Sequence, residues 1–428
     1  MGVLTPNFYL LPPIMLAPEK QRGFALDCVR RLRGAGFEAY WAGGCVRDQL
    51  LGTPPKDYDV ATNAAPEQIR ALFGRRRTLA IGAAFGVITV LGPRGAGQVE
   101  VTTFRQDAPY SDGRHPDRVT FTSAEADASR RDFTINGLFY DPVGQQVIDF
   151  VGGQEDLRRR VIRAIGQPDH RFGEDKLRML RAVRFAARLE FELEPRTAEA
   201  VRQMAPQITV VSPERLAMEM RLMLVDPHRA TAVRLLLDTA LAPAVLPEIV
   251  PQDDGHRQRL EHALAMLDRL RQPGFPLALA VLLHEQVDTP GAEAVCSRWR
   301  LSNKETARVV WLVEHHAALA GCRSARWSAV QPLAISAGIE DLLALEEARR
   351  LGSEDAAHFR SLLAQPRQTL DPPPLVTGDD LLRHGVRAGP QYKTLLQRIR
   401  DAQLDGEVCT RDQAMELADR LVRENAGE

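Results

Sequence analysis

Phe37-Glu38-Ala39-Tyr40-Trp41-Ala42-Gly43-Gly44-Cys45-Val46-Arg47-Asp48, with Asp57-Tyr58-Asp59 ten residues beyond Arg47, is the stretch on which the fold turns. Residues 37–42 are β-prone and run into two glycines, and residues 45–51 follow as a short helix closed by Gly52. A glycine pair between strand and helix lets the backbone approach a phosphate, with helix N–H groups facing it. Arg47, one turn into that helix, adds a planar fork suited to phosphate oxygens. Residues 58–61 read as the next strand, so Asp57 and Asp59, two apart, are expected on one face. Two carboxylates held together need a cation, and an oxygen-seeking Mg²⁺ fits them. Glu100, on the predicted strand Gln98–Thr103, is a candidate third carboxylate.

Outward from this stretch, residues 86–91 read as a further strand and Pro66–Phe73 as a helix started by Thr62 or Asn63. Ser129-Arg130-Arg131-Asp132-Phe133-Thr134-Ile135-Asn136-Gly137 places two arginines, a carboxylate and an amide beside an apolar pair. In residues 171–185, Asp175 and Arg178 stand three apart, helical neighbours. Arg178, Arg181 and Arg184 form a cationic stripe, accompanied by Leu177, Leu180 and Val183 as an apolar one. After about Asp156 the periodicity is almost continuously helical, broken near Pro206, Pro227, 243–251, 273–276, Pro290 and 370–375. The expectation is a mixed α/β head followed by an all-helical body.

Composition bounds the function. The 428 residues suit two to four domains, and 44% hydrophobic residues suffice for their cores. The 55 basic and 56 acidic residues exclude a chain coated with cations for indiscriminate nucleic-acid binding, while leaving room for a local basic groove. Through Val250 the balance is 33 basic to 30 acidic, and beyond it 22 to 26. Lysine stands only at positions 20, 56, 176, 304 and 393, so 50 of the 55 cations are arginine. The five cysteines form no CxxC pair, which predicts reduced thiols and a cytoplasmic protein. No apolar run approaches a membrane span, and residues 1–20 read as an N-terminal tail.

Four ordered motifs carry a resemblance: GGxVRD at Gly43–Asp48, DxD at Asp57 and Asp59, RRDFTxN at Arg130–Asn136 and EDxxRxxRAxRF at Glu174–Phe185. Together they resemble the class II tRNA nucleotidyltransferase and bacterial poly(A) polymerase family of the polymerase-β superfamily, most densely over 40–224. The resemblance implies an α+β fold. A nucleotidyltransferase head of five-stranded type (21–155) is expected, then a helical neck (156–226), a helical body (227–368) and a helical tail (369–428). It implies that Asp57 and Asp59 bind two Mg²⁺ ions. Gly43, Gly44, Arg47, Arg130, Arg131, Asp132 and Asn136 would hold the nucleotide with Arg181 and Arg184, while Asp175 and Arg178 read its base. Arg105, Asp112 and Arg114 fit the family's flexible loop. The implied partners are the tRNA 3′ end, ATP and CTP, with no membrane and no obligate protein partner.

The resemblance leaves three activities open: CCA addition, A-only addition and poly(A) synthesis. Residues 72–90, with Gly82-Ala83-Ala84-Phe85-Gly86, are similar to the CCA type, and Asp112-Gly113-Arg114 argues against an enzyme restricted to CC. Two positions depart from the pattern: His115 stands where arginine is frequent and Gly137 where alanine is frequent. His262, His284-Glu285 and His315-His316 resemble the HD phosphohydrolase arrangement with Glu285 in place of the aspartate, the basis for a reading of another class.

Overall fold

A computed structural model describes residues 18–107, 119–386 and 392–426. The chain forms two compact units, the first ending at Val250 and the second beginning at Pro251, within the proline-rich break at 243–251.

In the first unit, α1 (Pro18–Gly34) buries Phe24, Ala25, Cys28, Val29 and Leu32 at helical spacing. That face packs on β1 (Ala39–Ala42), where Trp41 is fully buried. The Gly43 turn leads into α2 (Gly44–Leu50), then β2 (Asp59–Thr62), α3 (Pro66–Phe73), β3 (Thr78–Leu79), β4 (Val87–Leu91) and β5 (Gln98–Thr103). Next come β6 (Arg105–Asp107), β7 (Val119–Phe121), α4 (Ala124–Ser129) and the hairpin β8 (Phe139–Asp141) and β9 (Gln146–Ile148). The main sheet runs β3-β4-β5-β2-β1-β8-β9, parallel only between β2 and β5. It has seven strands where the five-stranded type was expected; the three that pattern reading missed, β3, β8 and β9, have only two or three residues each. Period-two alternation needs more residues than that to register. Helix α3 starts where expected, but its cap is Ala65, whose N–H donates to Gln68 Oε1 at 2.8 Å; Thr62 is taken up at the end of β2.

The helical part of this unit comprises α5 (Gly153–Arg159), α6 (Pro168–Glu174), α7 (Leu177–Leu189), α8 (Pro195–Met204), α9 (Pro213–Leu224), α10 (Arg229–Asp238) and α11 (Ala242–Val245). A two-residue parallel pair, Val161–Ile162 with Glu192–Leu193, interrupts it. Helix α7 packs against α9 and α10, and its Leu177, Leu180 and Val183 are all buried. Phe133 meets Phe185 edge to face at 5.8 Å, joining the segment after α4 to α7. Helices α7 and α9 share buried charge: Arg184 Nε donates to Glu219 Oε2 at 2.6 Å, and both residues are buried.

The second unit is helical throughout its described residues. It opens with α12 (Asp254–Arg269), α13 (Phe275–Leu283), α14 (Thr289–Arg298) and α15 (Asn303–His315). Helix α13 is apolar on all sides because α12, α15 and the helix Ile339–Arg349 surround it. A separate core near the C-terminus gathers Val376, Leu381, Leu395, Ile399 and Leu421. Among the described residues no helix is long and apolar enough to cross a membrane. Cys28, Cys45, Cys296 and Cys322 are buried free thiols and Cys409 is an exposed one.

Removing one partner of a buried ion pair leaves the other charge without compensation. Glu219→Ala is therefore expected to lower the stability of the first unit by about 3–5 kcal/mol, measured by urea denaturation, with Glu219→Gln intermediate.

Candidate active site

The turn after β1 is built for glycine. Gly43 has φ +74°, its N–H donates to the Leu138 carbonyl at 3.0 Å, and an added Cβ would lie 2.8 Å from Arg131 Nη1. Arg47, one turn on, points inward and is buried. Its Nε and Nη2 donate to Asp48 Oδ1 at 2.8 and 2.6 Å, and its Nη1 donates to Asn136 Oδ1 at 2.7 Å. Asn136 is fixed in turn, its Nδ2 donating to Asp132 Oδ1 at 3.1 Å.

The acidic group differs in one respect from the expected strand pair. Strand β2 begins at Asp59, so Asp57 lies in the bend before it and is exposed. The reason is register: β1 ends at Ala42, opposite Asp59, and the Gly43 turn offers Asp57 no partner strand. On the other side Asp59 stands in register with Glu100, so both occupy one face of neighbouring parallel strands. Burial, followed by the charges of Asp57 and Glu100, pushes the Asp59 carboxyl up to about 7, and Arg131 works against that rise. Among the described residues no group of three or more His, Cys, Asp or Glu side chains gathers to hold an ion. Glu100 thus shares the face with Asp59 without closing a three-carboxylate cluster. These oxygen donors still fit a hard divalent ion, which would relieve the repulsion felt by Asp59.

A cleft of about 570 Å³ lies over this face. Its floor includes Gly43, Gly44, Asp59 and Glu100, and its walls Arg130, Arg131, Asp132, Asn136, Asp175, Arg178, Arg181 and Arg184. These five wall arginines are held by carboxylates. Asp127, fully buried on α4, accepts from Arg130 Nη2 at 2.8 Å and Arg131 Nη2 at 3.0 Å. Although burial raises its pKa, those two guanidinium groups bring it below the usual carboxylate range. Asp132 Oδ2 accepts from Arg181 Nε and Nη2 at 2.9 and 2.6 Å.

Asp175 and Arg178 share the cleft, and the Arg178 N–H donates to the Asp175 carbonyl at 3.1 Å, but their side chains bond to different partners. Asp175 is extended (φ −144°, ψ 107°) between α6 and α7, so the helix carrying Arg178 starts after it. Its Oδ2 accepts from Arg215 Nη2 of α9 at 2.7 Å and its Oδ1 from the Leu177 N–H at 3.0 Å. Arg178 Nη1 donates to Glu174 Oε2 at 2.5 Å and to the Arg171 carbonyl at 3.0 Å. Asp127, Arg188, Arg215 and Glu219 are charged residues in or behind this cleft that motif reading missed.

Of the loop residues, Arg105 begins β6 and donates to the Phe85 carbonyl; Asp112, Arg114 and His115 lie outside the described residues. Gly137 has a local reason: a Cβ there would meet Val151 Cγ2 at 2.6 Å and Ile165 Cδ1 at 3.1 Å. In the second unit, His262 Nδ1 bonds to Glu285 Oε2 at 2.9 Å and His284 Nδ1 to the Val281 carbonyl at 2.9 Å. The His284 and His316 rings meet edge to face at 5.3 Å. These histidines, too, form no metal-holding cluster of three.

Models of three families match the chain: the poly A polymerase head domain over 39–163, a probable RNA and SrmB-binding site of polymerase A over 190–252, and a putative tRNA nucleotidyltransferase domain 2 over 277–418. The CCA-adding enzyme of Geobacillus stearothermophilus is 37% identical over 395 residues, 90% of this chain and 93% of the relative. The chain belongs to the CCA-adding enzyme and poly(A) polymerase family. The CCA-adding enzyme of Bacillus licheniformis is 34% identical over 92% of this chain and 96% of the relative. A crystal structure of the Bacillus stearothermophilus CCA-adding enzyme in complex with CTP superposes with a TM-score of 0.77 at 30% identity, over 97% of this chain and all of the other. The Thermotoga maritima enzyme shares the fold at 20% identity, with a TM-score of 0.65 over 96% of this chain and 97% of that one. Membership in this nucleotidyltransferase family implies use of a divalent metal.

The pairing of Asp132 with Arg181 sets a pH dependence. Burial alone would raise the Asp132 pKa, but Arg181 and the Asn136 amide hold it down from 3.8 to about 2. The native state therefore favours the ionised carboxylate. That contribution is present above pH 4 and lost as pH falls from about 4 to about 2. Asp132→Asn is expected to lower stability at pH 7 and to narrow its deficit relative to the wild type across that acid window, measured by thermal melts at stepped pH.

Proposed function

We propose that this chain adds C, C and A in turn to the 3′ end of tRNA, using CTP and ATP and releasing pyrophosphate, without a nucleic-acid template. One observation carries the reading: Asp175 and Arg178 line the same cleft as Asp59 and the Gly43–Gly44 turn. Base selection and phosphate chemistry thus share one chamber. Cytosine and adenine both present an exocyclic amine beside an unprotonated ring nitrogen. A carboxylate accepts from the amine and a guanidinium donates to the nitrogen, so one Asp/Arg pair suits both bases. Guanine and uracil present a carbonyl beside an N–H, which sets acceptor against acceptor and donor against donor. Arg215 and the Leu177 N–H hold the carboxylate, and Glu174 holds the guanidinium, before any nucleotide arrives.

The remaining roles follow from position. The Gly43–Gly44 turn gives the triphosphate close backbone approach, and Arg131, beside Asp59, faces the developing charge. Asp57 and Asp59 would hold two Mg²⁺ ions, with Glu100 beside them. Bound there, Mg²⁺ supplies acidification of the RNA 3′-hydroxyl and neutralisation of the triphosphate. In this reading the head (21–155) carries the chemistry, the neck (156–226) reads the base, and the body and tail receive the tRNA in the cytoplasm. Similarity to CCA-adding enzymes along nearly the whole chain supports addition of all three nucleotides.

The direct assay offers tRNA ending before the first C, tRNA ending after the second C, and an unrelated RNA, and maps the products. CCA and A respectively are expected on the two tRNAs; addition of A alone, or extension of every RNA, would overturn the assignment. Asp57→Ala with Asp59→Ala is expected to reduce incorporation at least about a thousandfold while tRNA binding persists. Asp175→Ala or Arg178→Ala is expected to relax discrimination against UTP and GTP by about 10- to 100-fold in kcat/KM ratios. Undiminished selectivity in both variants would refute the base-reading role.

A further inference from the structure

Eight arginines line the cleft of the first unit, and the protein satisfies seven of them itself. The exception among the described residues is Arg188, in the last turn of α7, which has neither a carboxylate partner nor a hydrogen bond. Its side chain is half-buried at the cleft wall, and a cation is favoured at a helix C-terminus. Position separates it from the nucleotide. The base-reading residue Arg178 opens α7, and Arg47, behind the phosphate turn, lies 5.1 Å from the Phe185 ring. A nucleotide held between those landmarks covers the first two turns of α7. Arg188 stands on the same face as Arg181 but seven residues further on, about 10 Å, past the end of that span. The other polyanion that must enter the cleft is the RNA strand whose 3′-hydroxyl is extended.

We propose that Arg188 binds a backbone phosphate of the tRNA 3′ strand and thereby helps seat the primer. This rests on the reading of the chain as a tRNA nucleotidyltransferase. A phosphate contact of this kind adds affinity without reading sequence, and it releases counterions, so it weakens with salt. It also explains why Arg188 is the unpaired one among the eight described arginines of the cleft: a guanidinium reserved for an RNA phosphate has no need of an internal carboxylate, whereas one that must be aimed at a base or a ribose does.

The test uses the full chain and a tRNA transcript lacking its 3′ CCA, in filter-binding titrations without nucleotide from 50 to 300 mM KCl. Arg188→Ala is expected to weaken binding about tenfold at the lowest salt and to reduce the slope of log affinity against log salt by about one. Arg188→Lys, which keeps the charge, should restore most of both. In steady-state assays KM for tRNA should rise while KM for CTP and ATP stays within about twofold. Unchanged tRNA affinity and salt slope, or a rise confined to the nucleotide KM values, would overturn the proposal and assign Arg188 to no ligand or to the triphosphate. Thermal melts verify folding, and Arg188→Gln repeats the measurement if the alanine variant is unstable. Failure of the broader reading shows differently: the wild type would then not extend tRNA at all, whatever Arg188 does to binding.

Discussion

A single line of polar contacts holds the site together. It runs from Asp48 through Arg47, Asn136 and Asp132 to Arg181, and from there through Glu219 to Arg184. Six of these seven residues are charged, and all but the partly exposed Arg181 lie buried, where an unpaired charge would cost several kcal/mol. Each is satisfied by the next, so the line fixes the turn after β1, the segment after α4 and the helices α7 and α9 against one another. The walls of the cleft take their places from it. Its chemical uniformity is also informative: every cation in it is arginine, and the planar fork lets one side chain bind two neighbours at once, as Arg47 does with Asp48 and Asn136. The arginine excess over the whole chain follows composition, but at these positions a lysine would break the line.

What the sequence disclosed was whatever is local. Gly43-Gly44 before a helix, alternation in Gln98–Thr103 and the long helical periodicity after Asp156 each declare themselves within a few residues, and the structure has them in place. Asp57 and Asp59 were legible as a pair but not in their setting, because the end of β1 decides where β2 begins. The partners of the cleft residues were not legible. Arg215 lies 40 residues from the carboxylate it holds and Glu219 lies 35 from Arg184. Asp127 is different: Arg130 and Arg131 stand three and four residues on, so helical spacing offered both partners, and only its full burial was hidden. Spacing of three had suggested Asp175 with Arg178, and a break in the backbone at Asp175 gave each a different partner.

The departure at Gly137 illustrates the same point in reverse. In isolation a glycine there suggests looseness. Against Val151 and Ile165 it is a matter of fit, since those two side chains already fill the volume a methyl group would take. A substitution read from a pattern changes meaning once its neighbours are known.

The ion pairs of the cleft bear on turnover. Under the proposed function, a phosphate or base edge arriving at Arg181 or Arg178 would not meet a bare cation; it would displace Asp132 or Glu174 from part of a guanidinium already engaged. The gain is then a difference between two strong contacts rather than the whole of one. Such a surface would grip its ligands moderately and let them go readily, since each departing anion is replaced by a carboxylate already anchored beside the guanidinium. For a chain read as binding, releasing and rebinding nucleotides of two kinds at one end of one RNA, that reversibility belongs to the wall itself.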